Sequence, residues 1–87
     1  MITIPKSKSF DANERKYGQN DGSACIVCSK PVAAPTTWVR IYAGSYICTA
    51  AEAEANPDAD TGYYPVGPEC LHKHPQMKEY VRPTPAP

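Results

Sequence analysis

A small α+β domain, built from a metal knuckle, a β-hairpin and short helices, is the fold that this sequence predicts. Three observations predict it. Three of the four cysteines and both histidines gather in two fragments, Cys25-Ile26-Val27-Cys28 and Cys70-Leu71-His72-Lys73-His74. Thr36 to Tyr42 is a β-branched and aromatic run, followed by an Ala43-Gly44 turn and a second short run from Ser45 to Cys48. The chain has 87 residues, ten prolines, one Trp, one Phe and a single Leu. A chain that short and that poor in large apolar residues needs a metal or disulfides to supplement its core.

The elements follow in order. Residues 1–23 read as an N-terminal arm, in which Ile2 and Ile4 alternate with polar residues as in a short edge strand, or as a partly ordered tail. Asn20-Asp21-Gly22-Ser23 is a turn signal. A metal-binding domain spans 24–81. Its first part is the Cys-x2-Cys knuckle, whose two-residue gap suits a tight turn with backbone N–H groups aimed at the thiolates. The runs 36–42 and 45–48 form the hairpin, since alternation of apolar and polar residues marks a half-buried strand. Thr49-Ala50-Ala51-Glu52 is a capping box. The Ala-Glu-Ala-Glu-Ala stretch after it has high helix propensity, so a helix runs over 50–55 until Pro57 stops it. Residues 56–62 read as an acidic loop; Asp58, Asp60 and Gly62 do not continue into the ligand spacing of a calcium loop. Tyr63 to Val66 lead into a Gly67-Pro68 turn. A last helix is expected over 75–81 with Pro75 at its first position. Residues 82–87 are a proline-rich tail.

Formal net charge is zero and the pI about 6.7. That balance weighs against a binder driven by nucleic-acid electrostatics, which shows a basic face. The N-terminal sequence lacks the apolar stretch of a signal peptide, and no run approaches the roughly 20 apolar residues of a membrane span. The expected compartment is the cytoplasm, where thiols stay reduced and cysteines serve as metal ligands.

Zinc takes four tetrahedral ligands from Cys and His. Cys25, Cys28 and Cys70 supply three. His74 is the first choice for the fourth, because residues four apart share a helical face. Pro75 disfavours a helical His74, which keeps His72 in play, and Cys48 would complete an all-cysteine site. Otherwise Cys48 reads as a small buried hydrophobe in a strand. A thioredoxin-type redox pair at Cys25 and Cys28 is disfavoured, because Pro31, Pro35 and a strand follow where a long helix should begin. Four protein ligands leave no place for a metal-bound water, so an enzyme is not expected. Glu69, beside Cys70, does not sit in the order of motifs that zinc deaminases use.

A Cys-x2-Cys turn, a β-hairpin and then a Cys at the start of a terminal helix resemble the treble-clef group of zinc fingers. Cys25-Ile-Val-Cys-Ser-Lys-Pro-Val32 and Gly62-Tyr-Tyr-Pro-Val-Gly-Pro-Glu-Cys70 resemble small zinc-finger proteins of bacteriophages and bacteria, which carry a Cys-x2-Cys-Gly-Arg-Pro-like start and a Gly-Pro-x-Cys close. The likeness covers residues 24–74. The chain departs from it at Ser29, where glycine is common, and in the enlarged connection between Cys48 and Tyr63. What the resemblance implies is a zinc-stabilised scaffold rather than a reaction, with a phage protein that modulates a host machine as one such role (acting in the host cytoplasm).

The expected function is therefore that of a small interaction module with structural Zn2+. It would bind a protein partner through Trp38, Arg40 and Tyr42 of the hairpin and through the acidic helix and loop, with no membrane involved. The alternative is a nucleic-acid-binding zinc finger that uses Lys6, Lys8, Arg15, Lys16, Arg40, Lys73 and Lys78. These cations are scattered in sequence, so only folding can bring them together.

Overall fold

The computed structural model describes residues 1–18 and 24–84; the predicted turn at 20–23 and the end of the proline-rich tail lie outside them. The strands are β1 (Ile2–Thr3), β2 (Trp38–Tyr42), β3 (Tyr46–Cys48) and β4 (Asp60–Pro65). The α-helices are α1 (Phe10–Tyr17), α2 (Ala50–Ala55) and α3 (Pro68–Lys73), and short 3-10 turns cover Pro57–Ala59 and Pro75–Met77. The result is a small α+β fold around one four-stranded antiparallel sheet of order β1-β3-β2-β4.

The hairpin forms as its residue alternation demands. Val39 and Ile41 of β2 and Ile47 of β3 are buried on one face, and Ile41 pairs with Ile47. Trp38, Arg40 and Tyr42 alternate to the other face and are half-buried. The turn between the strands puts two successive residues at positive φ, Ala43 at 54° and Gly44 at 72°. Primed hairpin turns need this backbone to match the strand twist.

Behind the hairpin, Thr49 caps α2 in the expected box. The Glu52 N–H donates to Thr49 Oγ1 at 3.2 Å, and the Thr49 N–H donates to Glu52 Oε1 at 2.9 Å. The core face of the sheet gathers Val27, Val39, Ile41, Ile47, Val66 and Met77 with Cys25 and Cys70. The knuckle and the hydrophobic core are thus one cluster.

Three elements differ from the sequence reading. Residues 60–65 are a strand rather than the end of a loop. β4 pairs with β2 from Trp38↔Pro65 to Tyr42↔Asp60, with a bulge that leaves Thr61 unmatched and sets Gly62 at φ 96°. Only glycine adopts that conformation without strain. Residues 10–17, read as part of an arm, form α1. The terminal α-helix is α3, with Pro68 at its first position, whereas 75–77 make only a single 3-10 turn ahead of the bends.

Segments near both limits of the described residues join the sheet. β1 pairs with β3, and the backbone of Arg82 bridges to Trp38 by two hydrogen bonds of 2.8 Å. No helix among the described residues is long and apolar enough to cross a membrane.

Candidate metal centre

The knuckle is a turn closed at its base by an antiparallel bridge between Ala24 and Pro31. The Cys25 N–H donates to the Lys30 carbonyl at 2.9 Å, and the Ser29 N–H to the Cys25 carbonyl at 2.8 Å. Such tight closure forces one residue into the left-handed region, and that residue is Ser29, with φ 64°. A glycine would enter it freely; a serine there is strained by roughly 1–2 kcal/mol. Ser29 is fully buried, so its side chain is enclosed by the turn that strains its backbone.

The knuckle is tied to the sheet and to the N-terminal segment. The Ile26 N–H donates to the Pro65 carbonyl at the end of β4, at 2.9 Å. The Ser7 N–H donates to the Val27 carbonyl at 2.8 Å, and Asn13 Nδ2 of α1 donates to the Cys28 carbonyl at 2.8 Å. This last bond explains why a polar helix with no buried residue still docks.

The second fragment arrives by way of β4. Val66 and Gly67 turn the chain, and Pro68 opens α3 with the fixed φ that suits a first helical position. This places Cys70 in the first turn of α3 and brings its thiol to the knuckle. The Sγ atoms of Cys25, Cys28 and Cys70 lie within 4.8 Å of one another. Cys25 and Cys70 are buried and Cys28 is half-buried. The Gly67 N–H donates to Cys25 Sγ at 3.2 Å, as amides do to thiolate ligands. All four cysteines are free thiols.

Burial, followed by the neighbouring Cys25 and Cys28 thiols, pushes the Cys70 thiol far above its ordinary pKa. Three sulfurs this close cannot all ionise cheaply on their own, because each thiolate disfavours the next. A dication among them reverses that balance, since a coordinating thiol is deprotonated by the metal. The donor set fits a soft or borderline metal: three close sulfurs suit zinc or another thiophilic ion, not calcium or magnesium.

The other predicted ligands fall as follows. His74 caps the C-terminal end of α3 and borders the same cavity as the three thiols, though its imidazole is not among the mutually close ligand atoms. Its backbone has left the helical region (φ −127°, ψ 71°), as a residue before proline is disposed to do. His72 is exposed on α3. Cys48 is buried on β3 opposite Arg40 and is not in the thiol group. Burial, helped by the Glu52 carboxylate, raises its thiol pKa and keeps it protonated.

Of the hairpin residues expected to meet a partner, Arg40 and Tyr42 are engaged within the chain through their side chains. Arg40 Nε and Nη2 donate to the two oxygens of Asp60 at 3.2 and 2.6 Å, and the guanidinium lies over the Tyr63 ring at 5.2 Å. The Asp60 hydrogen bond raises the Arg40 pKa still further. Asn56 Nδ2 donates to the Tyr42 hydroxyl at 2.7 Å. Trp38 is the β2 residue that the Arg82 bridge flanks.

Of the cations named from sequence, the fold brings Lys6, Lys8 and Lys73 to the same cavity as the thiols, and it adds Lys30, which sequence reasoning missed. The signal for Lys30 was its place two residues after Cys28. No family model, curated protein or solved structure matches the chain.

Proposed function

We propose that this protein is a metal-stapled interaction module in which Cys25, Cys28 and Cys70 hold one zinc ion and His74 completes the shell. The observation that carries the reading is the convergence of three thiols from two distant fragments to within 4.8 Å, inside the hydrophobic core. The position of Cys70 in the first turn of the helix that follows the sheet supports the treble-clef likeness. With four protein ligands the metal is structural and the module does not catalyse a reaction. Its binding free energy would enter the folding free energy, about 10–16 kcal/mol for structural zinc at neutral pH. The partner we propose is a protein. The likeness of both cysteine fragments to phage zinc fingers points to a component of a host machine as one such partner.

The test is native mass spectrometry with circular dichroism, before and after chelation. One zinc per chain, with loss of ordered structure on its removal, is the expected result. A metal-free protein with its fold intact would sink the reading.

A second reading, nucleic-acid binding, is favoured by one observation. The fold gathers Lys6, Lys8, Lys30 and Lys73 from three separate segments around one cavity. A binder of that kind loses affinity steeply with salt, by about one log unit per log unit of salt for each phosphate neutralised. A flat salt response returns the choice to the protein partner.

A further inference from the structure

We propose that the part of the cavity not taken up by the thiol group, which lines it too, is a binding site for a phosphomonoester, held by Lys8, Lys30 and Lys73. The proposal deepens the module reading by naming the chemistry its site would recognise, and it rests on that reading for the metal-held wall. The cavity measures about 670 Å3. That is within the range of about 300–1,000 Å3 typical of small-ligand sites, and well above what a bare ion needs.

Four of the six lysines of a chain with zero net charge border this one cavity. They come from the segment ahead of α1, from the knuckle and from α3. Lys6 is partly neutralised by Asp11 at 3.5 Å and lies over the Phe10 ring. Among the described residues, Lys8, Lys30 and Lys73 form no ion pair. Among the described residues, Glu69 is the one carboxylate in the lining. A zinc centre with three thiolates and a neutral imidazole would add a single negative charge. The three free ammonium groups outweigh both.

The chemistry of the walls selects the ligand class. Lysine is a point-charge donor with three N–H groups and is a regular phosphate binder, whereas arginine, the bidentate reader of planar carboxylates, is absent from the lining. A dianionic phosphate in the cavity would be drawn by cations from three segments of its lining. Among the described residues no aromatic side chain lines the cavity, so they offer no stacking platform for the bases of single-stranded nucleic acid. Val27, Val32, Ala33 and Pro68 give an apolar side for the organic body of a phosphate ester. A free metabolite and a phosphorylated side chain of a protein partner share this chemistry.

The experiment is a titration of the full-length, zinc-loaded protein with inorganic phosphate at constant ionic strength, followed by NMR shifts of backbone and lysine side-chain resonances. Adenosine monophosphate and a phosphoserine hexapeptide are the second and third probes. The expected result is saturable one-to-one binding centred on residues 6–9, 30–33 and 67–74. Binding should weaken at least tenfold in the Lys30→Gln/Lys73→Gln double variant and within twofold in Lys16→Gln/Lys78→Gln, which removes the same charge elsewhere. Lys8→Gln/Lys30→Gln, which leaves α3 untouched, should weaken it equally.

Tighter binding of the nucleotide assigns the site to a small molecule, and tighter binding of the peptide assigns it to a partner protein. Equal weakening in all the double variants, or shifts that never saturate, would overturn the proposal. So would an oligothymidylate that binds ten times more tightly than any monoester, with steep salt dependence, because it would show an extended basic surface. A protein that takes up no zinc yet binds phosphate this way removes the metal reading and leaves the phosphate site. A zinc-loaded protein without saturable binding removes the phosphate site alone.

Discussion

Met77→Ala is the sharpest test of how the C-terminal segment contributes to the fold. Met77 follows α3 in a 3-10 turn whose N–H donates to the His74 carbonyl at 3.1 Å, and its side chain is 0% exposed within the core cluster. Truncation removes three heavy atoms from a site with no solvent contact. At about 0.8 kcal/mol for each buried methylene-sized group, the transfer loss is about 2 kcal/mol. Incomplete collapse around the hole raises the total to roughly 2–4 kcal/mol. For a domain of this size each kcal/mol lowers Tm by about 4–8 °C, so a fall of roughly 8–32 °C is expected. Urea unfolding followed by Trp38 fluorescence gives the free energy directly. Variant and parent must be compared at the same free zinc concentration, because ligand binding to the native state adds stability by mass action. Met77→Leu, which conserves volume, should cost less than about 1.5 kcal/mol. A loss below 0.5 kcal/mol (on the order of a surface substitution) in Met77→Ala would refute the argument, since the segment after α3 would then be lying on the core without completing it.

Cys48→Ala should retain one zinc per chain by native mass spectrometry, because Cys48 lies outside the thiol group, and should cost about 1 kcal/mol for a small cavity. Cys70→Ser should lose the metal under the same conditions. Ala43→Asn should raise the urea midpoint by the equivalent of about 0.5–1 kcal/mol, because Ala43 is exposed at φ 54° and asparagine tolerates that conformation ahead of Gly44. Acid should destabilise the fold through two carboxyls. Glu52 is held below its ordinary value of 4.5, first by the Thr49 N–H, and Asp60 below 3.8, first by Arg40. Groups with folded pKa values below their unfolded ones stabilise fully above the unfolded values and lose that contribution as pH falls through the folded ones. The decline contributed by this pair therefore lies below about pH 4.5, and in urea titrations from pH 6 to 3 it should be shallower in Asp60→Asn.

The local signals in the sequence were strong where one short rule decided the outcome. The alternation Val39-Arg40-Ile41 placed the core face of β2, and Thr49 with Glu52 fixed the start of α2. The convergence of Cys25, Cys28 and Cys70 was legible from spacing and fragment chemistry, whereas the placement of His74 was not, because Pro75 and the end of α3 set it together. β4 was hidden because Asp60, Gly62 and Pro65 all disfavour strands. They are admitted here because the strand is at the sheet edge, bulged at Thr61, and ends at its proline. α1 was hidden for the opposite reason: it presents no apolar stripe and docks by a hydrogen bond from Asn13 to a backbone carbonyl, a contact without periodicity in sequence. The lysine cavity depends wholly on tertiary placement, since its cations come from segments more than sixty residues apart.

The hydrogen bond from Gly67 to the Cys25 sulfur spans 42 positions in the chain, and the whole β2-β3-α2-β4 unit lies between its ends. The knuckle thiols are neighbours in any conformation, but the third thiol reaches them only after β4 has paired with β2 and delivered Pro65 to Ile26. Contacts of such high sequence separation form late, because the loop must be closed before they repay its entropy. A nascent or partly unfolded chain therefore presents two neighbouring sulfurs, and the finished one presents three. With the proposed zinc bound, its retention in a competing chelator would act as a kinetic clock for sheet closure, slow to start and cooperative when it comes, and a chain interrupted within β4 would carry an intact knuckle too poor in ligands to keep it.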